Sequence, residues 1–281
     1  MKKKITIQDF KVWKAERRML NMLNCYDYMT AALYDRTDIP ILLVGDSLGM
    51  CILGYSGTTP VTMEEMILHI KAVVKGAPSC FIVGDMPFGS YNVSCEQAIM
   101  NATRLMKEGG CDAIKLEGGV EMADKIAAIV KAGIPVMGHL GLTPQTASAL
   151  GGFRVQGKSL ESARKMIADI KAVEAAGAFC TLIECAPNQV TEAMMRASSL
   201  PVIGLGAGPN CDGYGSGYQD MFGLSGMCPK FVKPSVNLGD LFVEYMNKFH
   251  KECEDGVYPG PEQCYASKID LDIDALLKEF E

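Results

Sequence analysis

The sequence is short of positive charge, of paired cysteines and of long apolar runs, and each shortage removes a class of protein. Lys and Arg number 27 against 33 Asp and Glu, for a net charge of −6. A general nucleic-acid binder needs a basic face, so no nucleic-acid partner is expected. No apolar run approaches the roughly 18 residues of a membrane-crossing helix. Lys2–Lys4 are too few, and the residues after them too polar, for a signal peptide. The chain reads as cytoplasmic, with no membrane partner. Its 11 Cys include no C-x-x-C pair, which removes the common zinc and iron–sulfur spacings. Cys80, Cys111 and Cys180 lie inside apolar runs and read as reduced, buried small hydrophobes. A dinucleotide fold would want G-x-G-x-x-G after the first strand. None is there, and GLGAG at 204–208 comes too late with the wrong spacing.

What the chain does have is a repeat: an apolar run, a polar residue at its C-terminal end, a turn, a helix. Over 281 residues this unit recurs about eight times without a linker or a shift in composition. The runs ILLVGDS (41–47) and SCFIVGDM (79–86) are apolar without alternation, as strands covered on both faces are. Thr62 with Glu65, and Ser94 with Gln97, place helix starts. Alternating strands and helices imply a parallel α/β protein, and eight units favour a (β/α)₈ TIM barrel over an open sheet. The expected layout is a single barrel domain over 1–281, with an N-terminal helix and a helical tail at 275–281. Two glycine-rich segments, 142–158 and 208–223, read as loops, the first of them at the active site. KFVK (230–233) reads as the last strand, and 237–254 as a helix.

Active sites of barrels collect at the C-terminal ends of the strands. The polar residues there are Asp46, Ser47, Asp85, Lys115, Glu117, His139 and Glu184. Within CDAIKLEGG, Lys115 and Glu117 lie two residues apart and share a face. A cation and a carboxylate on one face would be costly in an apolar core. A single acidic residue after a strand is ordinarily a cap or a turn residue. Seven polar groups over five strand ends are not so easily dismissed. Asp27 and Asp112, at a helix start and a strand start, read as structural, as do His69 and His250 within helices.

Asp46, Asp85 and Glu117 come from consecutive strands, and three neighbouring carboxylates repel unless a cation joins them. Oxygen ligands without paired His or Cys suit Mg²⁺. A 2-oxo acid could add two oxygens, and the ion would act as a Lewis acid on its enolate. Lys115 and Ser47 could then pair with the substrate's oxygens. His139 could hydrogen-bond the substrate, and Glu184 is free to be the general base.

The segments LLVGDSLGM, GYSGTTPVTMEEMILHIKAV, DMPFGSY, NATRLMKEGGCDAIKLEGG, GIPVMGHLGLTPQ, GGFRVQGK and GLGAGPNCDG carry a resemblance. Together they closely resemble the ketopantoate (3-methyl-2-oxobutanoate) hydroxymethyltransferase family, from about residue 5 to 213 and again at DMFG, PKFVK and YPGPE. The resemblance implies a barrel of the phosphoenolpyruvate/pyruvate superfamily and a Mg²⁺-dependent one-carbon transfer. The donor would be 5,10-methylenetetrahydrofolate, the acceptor 3-methyl-2-oxobutanoate and the product 2-dehydropantoate, on the way to pantothenate. It assigns the metal to Asp46, Asp85 and Glu117. It assigns the oxo acid to Asp46, Ser47, Asp85 and Lys115, and proton abstraction to Glu184. It also implies a homo-oligomer, often a decamer.

This sequence departs from the family pattern at three places. CDGYGSGYQDMFG replaces a hydrophobic, strand-like run, Asn24-Cys25 replaces Thr-Ala, and Gln263 replaces a His. The first change bears on the donor, so the alternative is a related superfamily lyase or aldolase acting on another 2-oxo acid without folate. The isocitrate lyase-like branch usually carries K-K-C-G-H, which this chain lacks.

Overall fold

A computed structural model describes residues 2–226 and 228–281. The chain divides into two compact units, one ending at Ser235 and the other spanning Val236–Glu281.

The first unit is a closed barrel of eight parallel strands: β1 (Met22–Asn24), β2 (Ile41–Val44), β3 (Phe81–Asp85), β4 (Ala113–Glu117), β5 (Val136–Gly141), β6 (Cys180–Glu184), β7 (Val202–Leu205) and β8 (Gly213–Ser216). Each strand pairs with the next in sequence, and β8 closes on β1. The unbroken apolar runs follow from this closure, because every strand is covered on both faces. One parity, such as Leu42, Ile82, Ile114 and Ile183, faces the helices and packs against residues such as Ile70 and Ile170. The other parity, such as Leu43, Val83, Ala113 and Leu182, fills the interior.

That interior is graded along its axis. The helix Ile7–Ala15 starts at Thr6 with a capping box to Asp9 and lays Phe10 under the strands. The Phe10 ring meets Phe81 edge-on at 4.9 Å and Phe179 at 5.0 Å, and no part of it is exposed. Burying a ring of this size stabilises by about 1.5–3 kcal/mol. Aliphatic side chains follow. Continuing the same parity, Phe81 and Val83 lead to Asp85, Ala113 leads to Lys115 and Glu117, Met137 leads to His139, and Leu182 leads to Glu184. The charged residues therefore form the top layer of the barrel's own filling.

The eighth strand differs from expectation. KFVK at 230–233 is not a strand, and the glycine-rich GYGS is. Strand pairing is made by the backbone and needs no apolar side chains. Gly213 runs so close to β1's approach that a Cβ there would lie 2.2 Å from the Leu20 carbonyl oxygen. The loop 142–158 also holds two short helical turns, Pro144–Thr146 and Ala147–Leu150. The strand cores are shorter than the apolar runs, and the tail helix is Ile273–Leu277. No helix among the described residues is long and apolar enough to cross a membrane.

The second unit contains the helix Leu238–Glu254, whose N-cap Asn237 accepts a hydrogen bond from the Asp240 amide. None of this helix's residues is buried. Phe249 packs edge-on against Tyr258 at 5.0 Å.

Candidate active site

The barrel brings the predicted residues together at the C-terminal ends of β2 to β6. Asp85 stands beside Lys115 in the register of β3 and β4, and Glu117 stands beside His139 in that of β4 and β5. Lys115 Nζ lies 2.7 Å from Asp85 Oδ1 and 3.3 Å from His139 Nδ1. His139 Nδ1 is 3.4 Å from Glu117 Oε1, and its Nε2 is 3.2 Å from Glu184 Oε2. The side chains of Asp85, Lys115, Glu117 and His139 are 2–3% exposed, whereas that of Glu184 is 14% exposed. Glu184 is thus the carboxylate of this chain of contacts that lies nearest to solvent.

Asp46 and Ser47 lie just past β2, where the backbone turns into a short helix. The Asp46 amide donates to Asp85 Oδ2 at 3.1 Å. A Cβ on Gly45 would lie 3.0 Å from Ser47 Oγ and 3.7 Å from Asp85 Oδ2. The glycine therefore leaves open a small space between the hydroxyl and the carboxylate. Ser47 Oγ is 2.8 Å from the Tyr26 hydroxyl, and Asn24 Nδ2 donates to both, at 3.3 Å and 2.9 Å. Asn24, one of the departures from the family pattern, thus holds a predicted site residue.

Gln145, Tyr91, Tyr26 and Asn24 were not among the expected site residues. Gln145 Nε2 donates to Asp46 Oδ2 and to the Met86 carbonyl, both at 2.9 Å, while its amide N donates to Glu117 Oε2 at 3.0 Å. The loop expected at the active site does reach the strand-end cluster through Gln145, but the sequence offered no signal for this residue, because a polar residue in a loop carries no mark until its burial is known. His69 accepts its predicted structural role, with Nδ1 2.6 Å from the Tyr26 carbonyl oxygen. Asp27 caps its helix through the Thr30 amide, and Asp112 pairs with Lys4 at 2.6 Å away from the site.

The electrostatics follow from burial. Burial and the nearby Asp85 push the Asp46 carboxyl up to about 8, against the pull of Lys115. Burial likewise raises Asp85, although Lys115 opposes it. Burial would depress Lys115, but Asp85, Glu117 and Asp46 outweigh it and hold the ammonium firmly charged. Burial and Lys115 disfavour the imidazolium of His139, and the contacts to Glu117 and Glu184 overcome them to hold it near 9. The cluster is short of positive charge.

Each of the three carboxylates has one oxygen pinned by an N–H donor. The second oxygens of Asp85 and Glu117 are buried without a hydrogen-bond partner. Lys115 sits close to Asp85 Oδ1, but as an ion pair without hydrogen-bond alignment. Buried anionic oxygens left over in this way fit a hard cation. As arranged, however, no group of three or more His, Cys, Asp or Glu among the described residues could hold a metal ion. The expected three-carboxylate cage is not preformed here. The donor set suits an ion that takes one or two carboxylates and completes its shell with water or substrate oxygens, as Mg²⁺ does.

A sequence profile of the ketopantoate hydroxymethyltransferase family matches residues 4–261. The 3-methyl-2-oxobutanoate hydroxymethyltransferase of Heliobacterium modesticaldum is 50% identical over 266 residues, covering 94% of this chain and 96% of the relative. That of Enterococcus faecalis is 49% identical over 269 residues, covering 95% and 98%. Among solved structures, phosphonopyruvate hydrolase with oxalate and Mg²⁺ superposes with a TM-score of 0.60 at 13% identity, covering 98% and 96% of the two chains. A 2,3-dimethylmalate lyase of the PEP mutase/isocitrate lyase superfamily gives 0.57 at 13%, covering 98% and 99%. At such identities these two likenesses establish the barrel fold alone.

Proposed function

The chain belongs to the ketopantoate hydroxymethyltransferase family and is an enzyme, and on that premise we propose the reaction. It transfers a hydroxymethyl group from 5,10-methylenetetrahydrofolate to 3-methyl-2-oxobutanoate, giving 2-dehydropantoate. The observation that carries this reading is the strand-end cluster. It contains anchored carboxylates, the buried cations of Lys115 and His139, and a carboxylate near the mouth.

In this reading Asp46, Asp85 and Glu117 would supply the one or two carboxylates that hold Mg²⁺, with water or substrate oxygens completing its shell, and the bound ion would supply the Lewis-acid charge that favours the enolate. The chain's residues do the rest. Lys115 Nζ and Ser47 Oγ bind the oxo acid's oxygens, with Asp46, Asp85 and His139 lining its place. Glu184 takes the proton from C3, and C3 then bonds to the donor's one-carbon unit as that carbon's bonds to N5 and N10 break. One water supplies the hydroxyl oxygen, and the C3 proton and the water's second proton end on the nitrogens of the tetrahydrofolate released. His139 Nε2 stands 3.2 Å from Glu184 Oε2, an ion-pair contact without hydrogen-bond alignment. Proton transfer by a positioned side chain of this kind contributes about 10²–10⁴-fold. Eleven free thiols suit a reducing compartment, in keeping with a cytoplasmic enzyme.

The test is loss of deuterium from C3 of 3-deuterated 3-methyl-2-oxobutanoate, followed by NMR with Mg²⁺, with and without methylenetetrahydrofolate. Exchange together with 2-dehydropantoate formation is the expected result. Exchange without product would keep the enolate chemistry and reject this donor. No exchange under either condition would reject the reading.

A homo-oligomer, with the decamer as the assembly the resemblance implies, belongs to the same proposal. It is supported by the helix Leu238–Glu254, where Phe242 is 65% and Val243 58% exposed, an apolar surface that association would cover. Sedimentation should give a mass well above the monomer's 30.4 kDa. A monomer at micromolar concentration would exclude it.

A further inference from the structure

Gln145 is 3% exposed, in the first turn after β5. A side-chain amide offers two N–H donors and one carbonyl acceptor, and here all three are used. The NH₂ group donates to Asp46 Oδ2 and to the Met86 carbonyl oxygen, both at 2.9 Å. Oε1 accepts from the Tyr91 hydroxyl at 2.5 Å. The same hydroxyl accepts from the Glu117 amide at 3.2 Å. Flipping the Gln145 amide would turn its carbonyl toward two acceptors, so the network fixes one orientation. Its backbone N–H donates to Glu117 Oε2 at 3.0 Å. One residue therefore fixes an oxygen on each of two carboxylates from different strand ends.

We propose that Gln145, oriented by Tyr91, is a positioning residue for divalent-cation uptake. It pins Asp46 Oδ2 and Glu117 Oε2, so that each carboxylate is held in place with one oxygen left over that a cation could take. The proposal rests on the metal reading above. Neither Gln145 nor Tyr91 is assigned a place among the groups that touch the oxo acid. A carboxylate whose second oxygen is already held has less freedom to lose when it binds an ion. Partners of this kind typically account for about 10–100-fold in metal affinity.

The test uses the full chain without substrate, titrated calorimetrically with Mn²⁺ as the probe. Gln145→Met keeps the length of the side chain and the backbone N–H, and removes only the amide bonds. Its Kd for Mn²⁺ should rise by about 10–100-fold. Tyr91→Phe, which removes only the orienting hydroxyl, should shift it the same way by less. At saturating Mn²⁺ the C3 exchange of Gln145→Met should return toward that of the wild type, a split that general structural damage would not give. A wild-type Kd in Gln145→Met, or an exchange defect that persists at saturation, overturns the proposal. If Gln145→Met does not fold by circular dichroism, a wild-type Kd in Tyr91→Phe overturns it. Wild-type protein that takes up no Mn²⁺ overturns the metal reading itself, a distinct result.

Discussion

Glu184→Gln is expected to slow loss of the C3 deuteron from 3-methyl-2-oxobutanoate by about 10²–10⁴-fold, with binding of the oxo acid retained. The substitution keeps shape and removes the site that would accept the proton. It leaves the backbone bond from the Leu142 amide to the Glu184 carbonyl oxygen, 2.9 Å, in place. The other acids of the cluster are poor candidates for this task. Asp46 and Asp85 are buried, and in this reading they are given to the cation, which takes up the lone pairs a base would use. Glu117 has one oxygen held by the Gln145 amide. Exchange isolates proton abstraction from everything the donor does, so the atypical CDGYGSGYQ segment does not confuse the result. Wild-type exchange in Glu184→Gln would remove Glu184 from the role of base.

Gly141→Ala is expected to be the most damaging single methyl that can be added near the site. Gly141 has φ +91°, and its Cβ would fall 2.1 Å from the Glu184 carbonyl oxygen and 3.1 Å from the Glu184 carbonyl carbon. The obstacle is backbone of the paired strand, so a rotamer change cannot relieve it. The two residues are register partners, and separating them displaces the proposed base. A non-glycine residue in the left-handed region costs about 1–2 kcal/mol, and the clash should bring the total to roughly 2–4 kcal/mol. For a domain of this size that lowers Tm by about 2–4 °C per kcal/mol, with C3 exchange falling as well. Gly133→Ala is the control, because Gly133 has φ +90° with open space around its would-be Cβ. It should show the backbone cost alone. Equal Tm values and exchange rates for the two variants would show that the approach of Gly141 to Glu184 has no consequence.

Much of the site was legible because strand parity and strand ends can be read from side chains. AIKLE has Lys115 and Glu117 two apart, and the structure turns both into the barrel above Ala113. Asp85, His139 and Glu184 were found by the same rule, at the ends of apolar runs. Burial on both faces predicted a closed, helix-covered sheet, and the chain has one. Family motifs and strand ends selected the same residues because both report where the polar groups of a parallel barrel gather.

The sequence by itself determined the repeating strand–helix unit, the barrel class and the charged layer at its top, since each of these leaves a periodic or positional mark on side-chain polarity. Tertiary structure alone decided that GYGS closes the barrel instead of KFVK, because that pairing is between backbones and rests on a glycine's missing Cβ beside Leu20. It alone decided that Gln145, Tyr91 and Asn24 join the site. Their hydrogen bonds run between residues up to 99 positions apart in the chain. A partner's direction and its burial have no period along a sequence; they exist only once the strands have been brought into register.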